Sequence, residues 1–150
     1  MVLQRLGRAD LPELAAFLSD ADLTVSGLDG SSVRLWIERG PDGEIVGSTG
    51  FELSDDGGHA LIRSVAVRPS DRSRGSGTAL AEYALERAAE EGAHTAWLFS
   101  RRSGPFWQGL KFEPADRDDL ARVLAGTHQV RSFVETGQLH REVAWSRPLR

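Results

Sequence analysis

The stretch Ser64-Val-Ala-Val-Arg-Pro-Ser-Asp-Arg72-Ser-Arg-Gly75-Ser-Gly77-Thr-Ala-Leu80 constrains the fold of this chain more than any other. Its first part is apolar and β-branched, the pattern of a buried strand, and its second is a basic, glycine-rich connection opening onto a helical pattern. A strand that enters a helix through two nearby glycines brings unpaired backbone N–H groups and the positive end of a helix dipole to one place, which favours a bound phosphate. Arg72 and Arg74 add charge there. A bare Gly-x-Gly serves equally well as a plain turn, and two arginines as solvated surface charge. Two familiar phosphate motifs do not fit the letters. A Walker loop needs Gly-Lys-Ser/Thr, and the dinucleotide fingerprint needs a glycine where Leu80 stands and an acidic residue after the next strand, where Arg101 and Arg102 follow.

The flanking sequence supplies the rest of an α/β domain. Residues 2–6 predict a short strand, and Asp10 with Glu13 a capping box ahead of a helix over 11–19. Residues 33–38, 44–53 and 59–67 alternate as strands, separated by the turns Gly40-Pro-Asp-Gly43 and Ser54-Asp-Asp-Gly57, and so predict an antiparallel meander. Leu80, Ala81, Ala84, Leu85 and Ala88 give residues 77–91 a helical stripe, with Tyr83, Glu86 and Glu90 on its wet face. A strand over 95–99, a short helix over 104–110 and a strand over 111–113 follow. The tail is weakly helical over 116–125, ambiguous over 129–134 and strand-like over 142–146. Strands followed by strand, helix and strand predict one α+β domain over residues 1–150: a mixed, mostly antiparallel sheet of six to seven strands flanked by helices.

Composition removes several function classes. A net charge of −4 gives no general drive toward nucleic acid or an anionic membrane. The absence of cysteine excludes disulfides, thiolate metal sites and a cysteine nucleophile. His94, His128 and His140 show no ligand spacing, so no metal is expected. Asp10, Pro12 and Glu13 interrupt the opening where a signal peptide would be apolar, which makes a cytoplasmic location the expectation.

The segment Arg72-x-x-Gly75-x-Gly77, between the strand ending at Val67 and the alanine-rich helix, resembles the acetyl-CoA signature of the GNAT N-acetyltransferases. Phe106-Trp-Gln-Gly-Leu-Lys-Phe112 is similar to that family's later Phe-Tyr-Glu-Lys-x-Gly-Phe segment. Leu61-Ile-Arg63-Ser64 and Val130-Arg-Ser-Phe133 resemble small bacterial members associated with arsenic-resistance operons. The resemblance implies acetyl-CoA as cosubstrate. The main chain of Val65, Ala66 and Val67 would pair with the pantetheine arm, while Arg72, Ser73, Arg74, Gly75, Ser76, Gly77 and Thr78 would hold the diphosphate beside Phe106. The partner implied is a small-molecule amine attacking the thioester directly in a ternary complex. A homodimer is compatible with the family, though no motif here specifies one.

The resemblance fails at the proton-handling positions. Many members carry a glutamate where Leu61 stands and a tyrosine where Trp107 stands. An alkyl amine with a reference pKa of about 10.4 is mostly protonated at neutral pH, so a substitute base is sought. If Leu53 opposes Gly58, then Glu52 faces His59 and Ser48 faces Arg63 on the side of the sheet that carries Leu61. Glu52 and His59 then become candidate bases, and Arg63, with Ser48 and Trp107, a candidate grip for a substrate carboxylate or phosphonate. The competing readings are an exposed cross-strand Glu–His pair and a structural ion pair at Arg63. Trp36 and Trp97 are expected in the core or the pocket wall, and Trp145 in the core or at a subunit contact. Loss of both usual groups also leaves room for a GNAT-like acyl-CoA-binding or sensor domain without turnover.

Overall fold

The computed structural model describes residues 2–149, with the backbone alone for 72–74. The chain runs β1 (Gln4–Arg5), α1 (Leu11–Asp20), β2 (Val33–Arg39), β3 (Ile45–Leu53), β4 (His59–Val67), α2 (Ser76–Glu90) and β5 (Thr95–Phe99). It continues through α3 (Gly104–Gly109), β6 (Glu113–Ala115), α4 (Arg117–Val123), α5 (His128–Glu135) and β7 (Ala144–Pro148). The strands form one seven-stranded sheet in the order β1-β2-β3-β4-β5-β7-β6. Neighbours are antiparallel except β4 and β5, which α2 joins as a parallel crossover. This is the mixed, helix-flanked sheet expected from the sequence.

β3 and β4, in the middle of the sheet, are buried along nearly their whole length because both faces are covered. On one face, Leu80, Ala81, Ala84, Leu85 and Ala88 of α2 are buried over the sheet, as their spacing predicts, and most join Trp36, Phe51, Ile62 and Leu98 in the largest core cluster. The hydroxyl of Thr49 donates to the Leu80 carbonyl at 2.7 Å, tying helix to sheet. On the other face α1 packs Leu14 and Leu18 against Leu35, Ile37 and Ile45, while α4 and α5 place Leu120, Leu124 and Val130 over Leu61.

Several local expectations are corrected. Asp10 makes no capping bond to α1; its carboxylate accepts from the Gly7 amide and from Arg39, while Glu13 accepts from Arg39 and the Ile45 amide, so both acids fasten the helix to the β2–β3 hairpin. Tyr83 is half-buried edge-on against Trp36, with ring centroids 5.3 Å apart, rather than solvated. Trp145, by contrast, takes one of the two places expected of it, the core, where it donates from Nε1 to the Ser100 carbonyl at 2.9 Å. The β3–β4 register is displaced by two residues: Leu53 opposes Ala60 and Glu52 opposes Leu61. The displacement arises in the turn, where the Ser54 amide donates to the His59 carbonyl and Asp56 accepts from Ser54 and Gly58. A shift of two keeps every side chain on its face while changing every partner.

Candidate functional site

The site begins where two strands part. Among the described residues β4 and β5 pair at His59↔Thr95, Ala60↔Ala96 and Leu61↔Trp97, after which they diverge and no described strand lies against β4 on that side. The divergence coincides with a bulge. Gly50 opposes Arg63 and Ser48 opposes Ala66, so two residues of β4, Ser64 and Val65, face the single residue Thr49. Ser64 takes φ 61°, a left-handed conformation unusual for a non-glycine residue inside a strand. Its carbonyl accepts from the Ser48 hydroxyl at 2.6 Å and its own hydroxyl accepts from Nε of Arg63 at 3.2 Å, which holds the bulge in place.

The fork opens into a cleft of about 730 Å³. Residues 62–67 of β4 form one wall, and residues 98–103 with Phe106 and Trp107 of α3 form the other. Residues 21–24 after α1 and the α5 to β7 region close its far end. Asp22 and Arg102 form an exposed ion pair between the segments after α1 and after β5.

The expected cofactor residues gather here. Val65, Ala66, Val67, Gly77 and Phe106 line the cleft together. Gly75 sits at φ 75°, where glycine avoids the cost of a side chain, and turns the chain into α2, for which it stands as an N-cap without a side chain of its own. A β-carbon added to Gly77 would lie 3.6 Å from the Phe106 ring, so the missing side chain keeps the passage between them open. Ser76 and Thr78 occupy the first turn of α2. The side chains of Arg72, Ser73 and Arg74 lie outside the described residues. Trp107 is buried in the cleft wall, packed edge-on between Phe106 and Phe112.

The expected catalytic pair does not form. Glu52 is fully buried and its Oε2 accepts from Nη1 of Arg63 at 2.8 Å. The same carboxylate accepts from the amides of His128 at 2.6 Å and Gln129 at 3.1 Å, so it closes the N-terminus of α5 alongside the Thr127 cap. His59 lies before the fork, accepts at Nδ1 from Trp97 Nε1 at 3.0 Å and stands edge-on to His94. Burial, then the neighbouring His94, hold its pKa below the ordinary histidine value. Ser48 is buried on the Ser64 carbonyl and does not face Arg63. Arg63 reaches the cleft wall, yet its charge is met by Glu52, and burial draws its pKa down from the usual arginine range.

Two cleft residues were missed by the sequence reading. Gln129 and Glu142 are buried polar residues on its wall. Nothing local signals them, because one follows a helix cap and the other precedes a closing strand; a buried charge beside an apolar run is the most that the letters around Glu142 offer. Among the described residues no group of three or more acidic or histidine side chains is placed to hold a metal. No described helix is long and apolar enough to cross a membrane.

The acetyltransferase (GNAT) family model matches residues 7–112. No curated protein matches the chain significantly in sequence. Solved structures do match in fold. An acetyltransferase of the GNAT family from Staphylococcus aureus superposes with a TM-score of 0.75 at 15% identity, covering 99% of each chain. Rv2747 from Mycobacterium tuberculosis, in complex with CoA and NLQ, gives 0.75 at 18% identity over 100% of both chains. N-acetylglutamate synthase from Neisseria gonorrhoeae, complexed with coenzyme A and N-acetyl-glutamate, gives 0.77 at 17% identity, covering 99% of this chain and 35% of that one. At such identities the likeness is one of fold.

Proposed function

Because the chain belongs to the acetyltransferase (GNAT) family, we propose that it is an acetyl-CoA-dependent N-acetyltransferase acting on an amine of a small molecule. The observation that carries this reading is the forked sheet: the pairing of β4 and β5 stops at Leu61 and Trp97, and β4 leads through the glycine turn at Gly75 to the N-terminus of α2. The residues present fit the cosubstrate. Val65 to Val67 line the cleft along β4, where the amide-bearing pantetheine arm would lie, and Gly75 and Gly77 put no side chain of their own in the way of a diphosphate at the first turn of α2. Rv2747 and the N-acetylglutamate synthase, which share the fold, were solved with CoA bound.

Acetyl-CoA, when bound, supplies the thioester. Nitrogen bonds to its carbonyl carbon, the carbon–sulfur bond breaks, CoA leaves with the electron pair, and the amine gives up a proton. The chain contains no cysteine to carry an acyl group between two half-reactions, which favours direct attack in a ternary complex. Its contribution is to align the two substrates in the fork and keep bulk water from the apolar stretch between Ile62, Leu98 and Trp107. With Leu61 wholly in the core at the base position and Trp107 packed between aromatic rings at the acid position, neither a protein base nor a protein acid is assigned: solvent takes the proton that the amine gives up and returns one to the departing thiolate.

The test is a mass-spectrometric screen for acetylated products across amino acids, aminophosphonates, polyamines and peptide N-termini, with CoA release followed in parallel. Failure to bind acetyl-CoA, together with no CoA release on any acceptor, refutes the reading. A second reading, an acyl-CoA-binding or sensor domain, draws on the engaged state of Glu52 and on Leu61 and Trp107; tight CoA binding with no turnover selects it.

A further inference from the structure

Of the three described non-glycine residues with positive φ, Asp22 and Lys111 lie in turns, whereas Ser64, at 61°, lies inside β4. A left-handed serine within a strand is disfavoured and persists only where its surroundings fix it, so it points to a use. Both ends of Ser64 are fixed. Its carbonyl accepts from the Ser48 hydroxyl at 2.6 Å, and its Oγ accepts from Nε of Arg63 at 3.2 Å. Neighbouring side chains of an unbroken strand point to opposite faces, so a hydroxyl this close to the guanidinium of the preceding residue needs the break in alternation that φ 61° supplies. Ser64 is only 5% exposed, yet it lines the cleft beside Arg63 and Val65. In accepting from Arg63 the hydroxyl keeps its own hydrogen, and among the described residues no acceptor takes it. Bonding to a charged donor polarises that hydroxyl and strengthens its own donation.

We propose that the Ser64 hydroxyl donates a hydrogen bond to the thioester carbonyl oxygen of acetyl-CoA, which makes Ser64 a catalytic residue and Arg63 the residue that positions it; this rests on the acetyltransferase reading above. The order of residues along β4 carries the assignment. With the diphosphate at the first turn of α2 and the pantetheine arm along Val67, Ala66 and Val65, the far end of the arm bears the thioester and meets Ser64 next, before the fork closes at Leu61. As the amine nitrogen bonds to the carbonyl carbon, the carbonyl oxygen gains negative charge. A donor already held by the bulge and by Arg63 answers that charge without rearranging. The hydroxyl lends its hydrogen without giving it up, so both proton transfers remain with solvent.

Infrared spectra of bound acetyl-CoA labelled with carbon-13 at the carbonyl test this without a known acceptor. The wild type is expected to lower the carbonyl stretch relative to free acetyl-CoA, and Ser64→Ala and Ser64→Gly to return it toward the free value. The glycine variant suits φ 61° and so still reports where alanine unsettles the bulge. By calorimetry the preference for acetyl-CoA over CoA should fall about three- to tenfold in both variants, while CoA itself binds within about twofold of wild type. With an amine that the product screen identifies, kcat should fall about a hundredfold with little change in the KM of the amine. A stretch that is not lowered in the wild type, or is lowered equally in all three proteins, overturns the inference and leaves the acetyltransferase reading standing. Loss of CoA affinity in both variants marks a structural serine and does the same. Wild-type protein that binds no acetyl-CoA overturns both.

Discussion

Glu52→Gln measures how much of this fold depends on one buried carboxylate. The side chain is inaccessible to solvent, holds Arg63 at 2.8 Å and closes two amides at the start of α5. Removing one member of a buried ion pair costs about 3–5 kcal/mol, and loss of one of the two charged bonds to α5 adds about 1 kcal/mol, since the amide keeps one oxygen for that helix. Domains of this size are stable by about 5–15 kcal/mol and lose about 2–4 °C of Tm per kcal/mol, so a fall of roughly 10–20 °C is expected. The assay is urea and thermal unfolding followed by circular dichroism, run as a cycle with Arg63→Met. The double variant Glu52→Gln/Arg63→Met should be more stable than the sum of the single losses predicts by about 2–3 kcal/mol, because no unpaired charge is left buried. A Tm within about 2 °C of wild type for Glu52→Gln, or strict additivity, refutes the structural role. Loss of turnover at unchanged Tm would return Glu52 to the role of base.

Other substitutions probe neighbouring parts of the account. Gly50→Ala would place a β-carbon 2.3 Å from the Arg34 carbonyl oxygen, inside the backbone of β2, and should destabilise by about 3 kcal/mol in urea titration. Gly77→Ala adds a β-carbon that meets only ordinary contacts with Phe106 and Val67, so stability should change by less than about 1 kcal/mol while acetyl-CoA affinity, measured by calorimetry, falls as the passage narrows. His59, held below the ordinary histidine pKa by burial and then by His94, binds protons more readily in the unfolded chain, whose histidine titrates near about 6.5. Stability should therefore decline as pH falls through that value, with Asp56 opposing and Arg122 reinforcing the shift. His59→Gln, which keeps an acceptor for the Trp97 indole, should flatten urea midpoints between pH 7.5 and 5.5.

The parts of the molecule that depend on local pattern were legible. Alternation marked β2, β3 and β4, and the leucine and alanine stripe marked α2, because each buries its apolar residues at a fixed period. The glycine turn into α2 was legible for the same reason, since Gly75 answers to local backbone geometry. What depends on distant partners was not. The β3–β4 register slipped by two because the Asp56 turn extends the loop, and only side-chain bonds inside that turn reveal it. The start of α5 is closed by Glu52, 76 positions earlier in the chain, so no pattern within residues 128–135 could announce it. The bulge at Ser64 carries no glycine signal, and Glu142 joins the cleft only because β7 inserts between β5 and β6.

The account stands on the opened edge of β4 and the mouth of α2 receiving one ligand together. Amide hydrogen exchange with and without acetyl-CoA measures this residue by residue. Protection that rises jointly in Val65 to Val67 and in Ser76 to Thr78, with the His59 to Leu61 region unchanged, is the predicted result. Saturating acetyl-CoA that protects neither segment, or only the separate hollow around Arg5 and Arg8, would contradict it.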